Sequence, residues 1–203
     1  LWKKLPYKTW RILHRAMPVL YLMLAFHAAL LAPRDYWAQP VGGLVAALLA
    51  AGVYGAIRSL LGDIGRSRVA TGNIIAIEHP ANDVTTVRCH LVRGWRGHQA
   101  GQFAFVTFDN KEGAHPFTIA SADHGDSTVS FQIKALGDYT KRLAERLQPG
   151  QTVLVEGPYG RFDIARRDPR ARQIWIAGGI GVTPFLAWLE SLQAKPEGAP
   201  MAD

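Results

Sequence analysis

The sequence is poor in cysteine, with Cys89 as the only one among 203 residues. A lone thiol cannot form an internal disulfide, and it cannot supply the several thiolates that a cysteine-ligated metal cluster requires. Cys89 stands in an alternating, strand-like stretch, which predicts a small side chain inside a β-sheet domain. The sequence also lacks internal repeats and low-complexity runs, which argues against solenoid and fibrous architectures.

Acidic residues are scarce in the first third of the chain. Residues 1–68 contain nine Lys/Arg and two Asp/Glu, whereas residues 69–203 contain fourteen of each. The formal net charge of +7 therefore belongs to the N-terminal part, where basic residues flank apolar segments. A nucleic-acid-binding domain would carry its basic excess on a folded soluble surface, so the distribution argues against nucleic acid and favours a lipid membrane as partner.

Two long apolar segments follow one another, at Ala16–Ala32 and Val41–Ile57. Each covers ~25 Å as a helix, and neighbouring apolar residues extend each to about 20 residues, enough to span a bilayer. Basic residues precede the first segment, from Lys3 to Arg15, and follow the second, so the positive-inside rule predicts a transmembrane hairpin with both ends cytoplasmic. Two buried helices of a soluble bundle are the alternative. A signal peptide fits poorly because the apolar stretch is repeated.

After Ser67 the pattern changes to short strands. Six segments rich in β-branched and aromatic residues alternate with turn signals, and a helix is predicted at Gly137–Leu147. Six strands with one helix in roughly 95 residues predict a small antiparallel β-barrel. The predicted strands are 73–78, 83–92, 102–108, 116–120, 128–134 and 152–156.

The stretch from Ile174 to Leu192 predicts the start of an α/β unit. Ile174–Ala177 is continuously apolar and predicts a buried strand, which a glycine turn connects to a helix that begins at Thr183. The N–H groups at such a helix N-terminus bind phosphate. Three glycines alone are a weak signal, but the strand before them and the Thr-Pro after them favour a nucleotide site over a plain structural turn. The candidate phosphate-binding residues are Gly178, Gly179, Gly181, Thr183 and Pro184.

A second candidate site is the stretch His115–Ser121, a predicted strand in which an aromatic residue is followed directly by a residue with a hydroxyl group. Phe117 offers a flat apolar face and Thr118 a hydroxyl, the two features that bind an isoalloxazine ring. Gly137–Thr140 opens the predicted helix and could receive a pyrophosphate at the helix N-terminus. Strand aromatics are more often core residues, so this motif alone does not establish a flavin site.

In order, the motifs HPFTIAS, IKALGDYT, GPYGRF and GGIGVTPF resemble those of the ferredoxin-reductase-type FAD/NAD(P) module. More narrowly, they are similar to the ferric reductase and NADPH oxidase branch, which has His-Pro-Phe-Thr where soluble relatives have Arg-x-Tyr-Ser. The resemblance implies a membrane α-helical hairpin at residues 1–66, an antiparallel FAD-binding barrel at 67–168 and the first part of an α/β NAD(P)-binding domain at 169–203.

The resemblance also implies cofactor contacts at named positions. No acid–base pair or nucleophile is assigned, since the redox chemistry belongs to the cofactors. The implied NAD(P)H phosphate contacts are the five residues of the glycine turn and helix start named above. The implied FAD contacts are His115 and Pro116 at the phosphate or adenine side, Phe117 and Thr118 at the isoalloxazine, Gly137 and Thr140 at the pyrophosphate, and Tyr159 near the flavin–nicotinamide junction.

His14 and His27 are candidate haem ligands. They are separated by ~20 Å along a helix, which suits two haems stacked across a membrane, and a histidine within an apolar span is costly unless functional. On a straight helix they point about 140° apart, although Pro18 between them could kink it. The alternative is an interfacial His14 and a polar-paired His27. The resemblance, whose corresponding helix has this spacing, implies haem b, with upstream haem-binding helices supplying the other ligands.

These features together predict a multi-pass protein of the inner or plasma membrane, with its FAD domain in the cytoplasm. Electrons would pass from NAD(P)H through FAD and haem b to an acceptor across the membrane, such as ferric iron or oxygen. The alternatives are a haem-free, membrane-anchored NAD(P)H–flavin oxidoreductase and an inactive truncated membrane subunit. The family pattern is incomplete at both ends of the sequence, so we expect a piece of a longer protein or a degenerate copy.

Overall fold

The computed structural model describes residues 7–81, 83–110, 112–162 and 173–194. The chain forms two compact units, Leu1–Ser67 and Arg68–Asp203. Lys3, Lys4 and the predicted boundary between residues 168 and 169 lie outside the described residues. A separate nucleotide-binding domain that begins at residue 169 therefore stays a prediction.

The first unit is a helical hairpin. Helix α1 covers Tyr7–Leu31, the short helix α2 covers Arg34–Ala38, and helix α3 covers Pro40–Leu60. Pro40 lies in the first turn of α3, where its missing N–H group is not needed. The two long helices pack where Tyr21 donates a hydrogen bond from its hydroxyl to the Leu49 carbonyl at 3.3 Å. Gly52 permits this approach, because a Cβ atom there would collide with the Tyr21 ring.

The apolar side chains of this hairpin are mostly exposed. The segments Leu13–Leu31 and Pro40–Leu60 have mean hydropathies of 1.3 and 1.8, and both are long and apolar enough to cross a membrane by length and composition. Only 6% and 11% of these segments is buried, whereas core helices of a soluble bundle would be mostly buried. The two predicted helices are confirmed, and their exposure argues against the soluble-bundle alternative.

The second unit is built on an antiparallel sheet with the strand order β4-β3-β6-β1-β2-β5. Its edge strands approach each other through a single bridge between Ile119 and Phe131 and a 2.8 Å hydrogen bond from the Ala120 N–H to the Ser130 carbonyl. All six predicted strands are confirmed, in a sheet that curls into a barrel without a continuous closing ladder. The strands are β1 Val69–Ala81, β2 Val84–Arg93, β3 Phe103–Thr107, β4 His115–Thr118, β5 Thr128–Lys134 and β6 Thr152–Tyr159.

The barrel core follows from the two-residue period of its strands. In β2, β5 and β6 every second side chain is buried, which places Val87, Phe131 and Val155 inside with no exposed surface. Burial of a large apolar side chain contributes about 1.5–3 kcal/mol, so this inner face stabilises the unit. Cys89 is one of these inward residues, as predicted, and burial raises the pKa of its thiol to about 12.

Two helices complete the described part of this unit, α4 at Asp138–Arg146 and α5 at Thr183–Ala194. Both were predicted from the sequence. The predicted buried strand Ile174–Ala177 is wrong, because Ile174 and Ile176 are 79% and 85% exposed and no strand within the described ranges pairs with this segment. An apolar run reports hydrophobicity, whereas a strand also needs a hydrogen-bonded neighbour.

Candidate functional site

Strand β4 and the first turn of α4 meet at two stacked rings. The His115 and Tyr139 ring centroids are 4.0 Å apart, with 12° between the planes. His115 pairs with Val106 across the β3–β4 ladder, so its ring is on the core side of the strand, towards the helix. This contact brings together two segments, HPFT and GDYT, that the resemblance assigns to one FAD molecule.

Phe117 and Thr118 lie on opposite faces of β4, because successive side chains of a strand alternate. Phe117 pairs with the buried Ala104, packs against the barrel core and lies 6.2 Å from Phe108, measured between ring centroids. Thr118 pairs with Phe103 on the outer face. Both side chains are half-buried, so each keeps accessible surface at the end of the strand.

The outer face beside Thr118 is aromatic, a feature that sequence reasoning missed. Phe103 is 5.9 Å from Tyr159 and 5.7 Å from Phe105, measured between ring centroids. Tyr159 therefore lies in the same cross-strand row as Thr118, with Phe103 of the central strand β3 between them. Aromatic residues at every second position of β3 were the available signal, since a period of two places them on one face.

Tyr159 is held in place by charged neighbours. Its hydroxyl donates to Glu156 Oε1 at 2.7 Å, and the Arg68 guanidinium lies 5.2 Å above its ring. Desolvation and the hydrogen bond to Glu156 raise the pKa of Tyr159 to about 12, so the phenol stays neutral at physiological pH. Glu156 is half-buried and orients this tyrosine.

The N-terminus of α4 has the shape expected of a phosphate site. The first bond of the helix runs from the Lys141 N–H to the Gly137 carbonyl at 2.9 Å, which leaves the N–H groups of the first turn outside the helical ladder. A Cβ atom on Gly137 would meet nothing within 4 Å, so a ligand can approach the backbone. Thr140 Oγ1 accepts from the Gly137 and Leu136 N–H groups at 3.0 and 3.1 Å, and therefore shapes the turn.

A cavity of about 370 Å³ lies beside α4, on the side of the β3–β4 loop. Tyr139 lines it, together with carboxylates from the loop and guanidinium groups from the helix. The Tyr139 hydroxyl is buried without a hydrogen-bond partner among the described residues. Desolvation, reinforced by Asp109 and Glu112, raises the pKa of Tyr139 to about 12.

The glycine turn leads into α5 as predicted. A 3-10 turn covers Gly179–Val182, and the Gly181 N–H donates to the Gly178 carbonyl at 3.0 Å. Gly179 has φ +55°, a conformation that favours glycine, and Cβ atoms at all three glycines would meet nothing within 4 Å. The turn thus exposes backbone to a ligand, and Pro184 lies in the first helical turn.

Thr183 has an internal role in this turn. Its side chain is 2% exposed, and its hydroxyl donates to the Ile180 carbonyl at 2.7 Å. The hydroxyl is therefore engaged in holding the 3-10 turn against the start of α5. A phosphate contact from Thr183 stays a prediction for its backbone.

His14 and His27 both lie on α1, which is helical on both sides of Pro18. Their side chains are exposed on the hairpin. Among the described residues there is no group of three or more His, Cys, Asp or Glu side chains that could hold a metal ion. Each histidine could supply one axial ligand.

Comparison with known proteins agrees with this geometry. Residues 69–163 match the family model of an FAD-binding domain. Respiratory burst oxidase homolog protein E of Arabidopsis thaliana is 28% identical over 208 residues, which cover 88% of this chain and 21% of that protein. Dual oxidase 1 of Homo sapiens is 28% identical over 203 residues, covering 90% of this chain and 12% of that protein.

The fold is shared with solved flavoproteins. The ferredoxin NADP+ reductase from Neisseria gonorrhoeae, solved with bound FAD and NADP, matches with a TM-score of 0.54 and 19% identity, over 66% of this chain and 55% of that one. The chain thus spans a small fraction of the length of the two oxidases and about half of the reductase. The predicted resemblance is confirmed: residues 69–163 match an FAD-binding domain, the fold is that of a ferredoxin reductase, and the sequence is similar to a respiratory burst oxidase and to a dual oxidase.

Proposed function

We propose that this chain is the flavin-containing part of an NAD(P)H-dependent membrane oxidoreductase, which passes electrons through haem b to an acceptor across the membrane, such as ferric iron or oxygen. One observation carries the proposal. An FAD-binding barrel, a glycine turn at a helix N-terminus and two membrane-length apolar helices occur in one chain. This combination fits a path from a soluble hydride donor to a site within the bilayer.

The described residues fit FAD. When bound, FAD accepts a hydride from a nicotinamide and releases electrons singly, which couples a two-electron donor to one-electron acceptors. Thr118 offers a hydroxyl for a ring nitrogen, with Phe117 and Tyr159 as flat surfaces on either side of the strand end. The stacked His115–Tyr139 pair and Pro116 lie between the end of β4 and the open N-terminus of α4. At that N-terminus, Gly137 and the turn shaped by Thr140 would hold the pyrophosphate.

The glycine turn fits the phosphates of NAD(P)H. The backbone at Gly178, Gly179 and Gly181 is open, and the dipole of α5 favours negative charge at this end. Pro184 stiffens the first helical turn, and the Thr183 hydroxyl holds the 3-10 turn in place. The chain therefore positions the two cofactors, and it needs no acid–base residue for the reaction.

For haem, this chain offers one ligand per group at most. His14 and His27 are exposed on α1 at the separation that two stacked haems require, so each would bind one iron, with a second imidazole from helices outside the present sequence. By the positive-inside rule, the basic flanks of the hairpin support an orientation in the inner or plasma membrane with the flavin domain in the cytoplasm and the turn at residues 33–40 outside.

A reduced-minus-oxidised visible spectrum of membranes containing the natural full-length protein tests this function. Flavin bleaching together with sharp haem bands after addition of either NADPH or NADH is the expected result. Flavin bleaching alone would instead support a haem-free, membrane-anchored flavin oxidoreductase. The absence of both signals would support an inactive membrane subunit.

A further inference from the structure

Helix α5 and the loop at residues 121–126 are joined by one carboxylate, that of Glu190. The loop follows the flavin strand β4 along the chain, and α5 carries the glycine turn at its N-terminus. We propose that Glu190 is a positioning residue, which holds the nucleotide-binding turn in a fixed place relative to the flavin strand. This inference rests on the proposed function and assigns Glu190 a part in aligning the two cofactors.

Both oxygens of Glu190 are engaged. Its Oε2 accepts from the Ala122 N–H at 3.1 Å, and its Oε1 lies 2.7 Å from Nε2 of His124. The same loop is held from its other side by His98, whose N–H donates to Asp123 Oδ2 at 3.0 Å and whose Nε2 lies 2.9 Å from the Ser121 carbonyl. The loop is therefore fixed to the barrel, and Glu190 fixes α5 to the loop.

The geometry of α5 connects the attachment at Glu190 to the glycine turn at the start of the helix. Thr183, Ala187 and Glu190 are spaced i, i+4 and i+7, so they form one face of α5 directed at the barrel. The first two are buried, and Thr183 bonds the 3-10 turn itself. Glu190 is ~10 Å further along the axis. With Trp188 bonded to the Ala100 carbonyl at 2.8 Å, the helix has two polar attachments, which restrain both its position and its tilt.

Alignment matters for hydride transfer because reacting atoms must approach to about 3–3.5 Å, and a displacement of about 1 Å can cost 100-fold in rate. A helix free to pivot around Trp188 would move its N-terminal turn by such amounts. We therefore expect loss of Glu190 to lower the rate of flavin reduction and to raise the KM for the nucleotide, with little loss of FAD.

The attachment is also sensitive to pH. The hydrogen bond to Glu190 raises the pKa of His124, and Asp123 and Asp126 of its own loop act in the same direction, whereas the nearby His98 would oppose its charge if protonated. Because the pKa is raised in the folded state, the ion pair is complete at low pH and is lost as pH rises through the folded-state pKa. Both side chains are more than 40% exposed, so we expect an effect of about two- to fivefold.

Three variants of the full-length, FAD-loaded protein test the proposal: Glu190→Gln, Glu190→Ala and the control Glu78→Gln. Glu78 is an exposed glutamate paired with Arg88 at 3.6 Å on the barrel, so its substitution removes the same charge without touching α5. Hydrogen exchange is measured for peptides covering 119–126 and 183–194. Flavin reduction by NADPH is followed by stopped flow at pH 6 and pH 8.

In Glu190→Ala we expect exchange at the Ala122 amide to accelerate about tenfold, because a hydrogen bond to a charged acceptor is lost. Glu190→Gln should keep part of the protection but lose the preference of flavin reduction for pH 6 over pH 8. Glu78→Gln should behave like the wild type in both measurements.

Unchanged hydrogen exchange in both peptides of Glu190→Ala would overturn the positioning role, whatever the rate of flavin reduction. Unchanged reduction rates, KM and pH preference in Glu190→Gln would also overturn it. If Glu190→Ala exchanges faster throughout the barrel, global unfolding explains its effect and Glu190→Gln decides the question. A wild-type protein whose flavin is reduced by neither NADPH nor NADH would refute the proposed function, and the exchange data would still decide whether Glu190 attaches the helix.

Discussion

Substitution of Gly101 by alanine should release α5 from the barrel. Gly101 has φ +95°, and a Cβ atom there would collide with the Phe162 carbonyl and lie 2.6 Å from Trp188 Nε1. These two residues form the stacked pair that docks α5, with ring centroids 4.8 Å apart. Gly150 is the matched control, because it has φ +85° but nothing within 4 Å of its Cβ position, and it lies outside the 121–126 loop that holds α5.

The expected magnitude follows from this comparison. Both substitutions cost about 1–2 kcal/mol for placing an L-residue in the left-handed region. Gly101→Ala in addition disrupts the hydrogen bond from Trp188 to the Ala100 carbonyl, about 1 kcal/mol, and the stacking on Phe162, about 1 kcal/mol. The free energy needed to detach α5 from the barrel should therefore be about 2 kcal/mol lower in Gly101→Ala than in the control. This difference corresponds to a roughly 30-fold larger population of the detached state.

Hydrogen exchange of the peptide that covers 183–194, measured on the full-length protein in detergent, reports this opening directly. Gly101→Ala should exchange there roughly 30-fold faster than Gly150→Ala, whereas peptides of the strands β2 and β5 should be equal in the two variants. Equal exchange of the 183–194 peptide in both variants would refute the argument that the contact among Gly101, Phe162 and Trp188 docks α5.

Four further predictions concern the sites. Thr118→Val should slow flavin reduction by NADPH while FAD stays bound, and His115→Ala should weaken FAD retention by disrupting the stack on Tyr139. Thr152→Val is the exposed control. Unchanged flavin reduction in both site variants would contradict the placement of FAD along β4. A cysteine at Gln39 should react with a membrane-impermeant maleimide from outside and one at Ser67 should not, since the Lys/Arg excess flanks the hairpin ends; the reverse pattern would invert the topology. Because burial raises the pKa of Cys89 to about 12, the folded protein should not be alkylated by iodoacetamide at pH 8, and rapid alkylation without unfolding would show that the core is accessible. In the full-length protein, loss of His14 should leave the flavin reducible but the remaining haem oxidised. Loss of His27 should instead leave the inner haem reducible. Normal haem content in either variant would show that the substituted histidine is not a ligand.

The sequence by itself determined the local elements and the cofactor class. Strands such as Thr128–Lys134 alternate inward and outward residues with a period of two, and the hairpin helices carry apolar runs of membrane length, so neighbouring residues alone specify them. The order of four short motifs predicted the FAD-binding domain through its resemblance to the ferredoxin-reductase-type module, and residues 69–163 match an FAD-binding domain. The sequence could not exclude the strand at Ile174–Ala177, since an apolar run has the same pattern whether or not a neighbour pairs with it.

The tertiary structure decided which of these residues meet. Thr118, Phe103 and Tyr159 become neighbours only through the register of three strands, and His115 reaches Tyr139 only because β4 and α4 adjoin in the folded barrel. Glu190 and His124 are 66 residues apart, with no shared pattern or motif, and their contact exists because α5 packs across the loop after β4. Periodicity is a property of nearby positions, whereas such contacts depend on chain topology and side-chain packing, and so they are visible only in three dimensions.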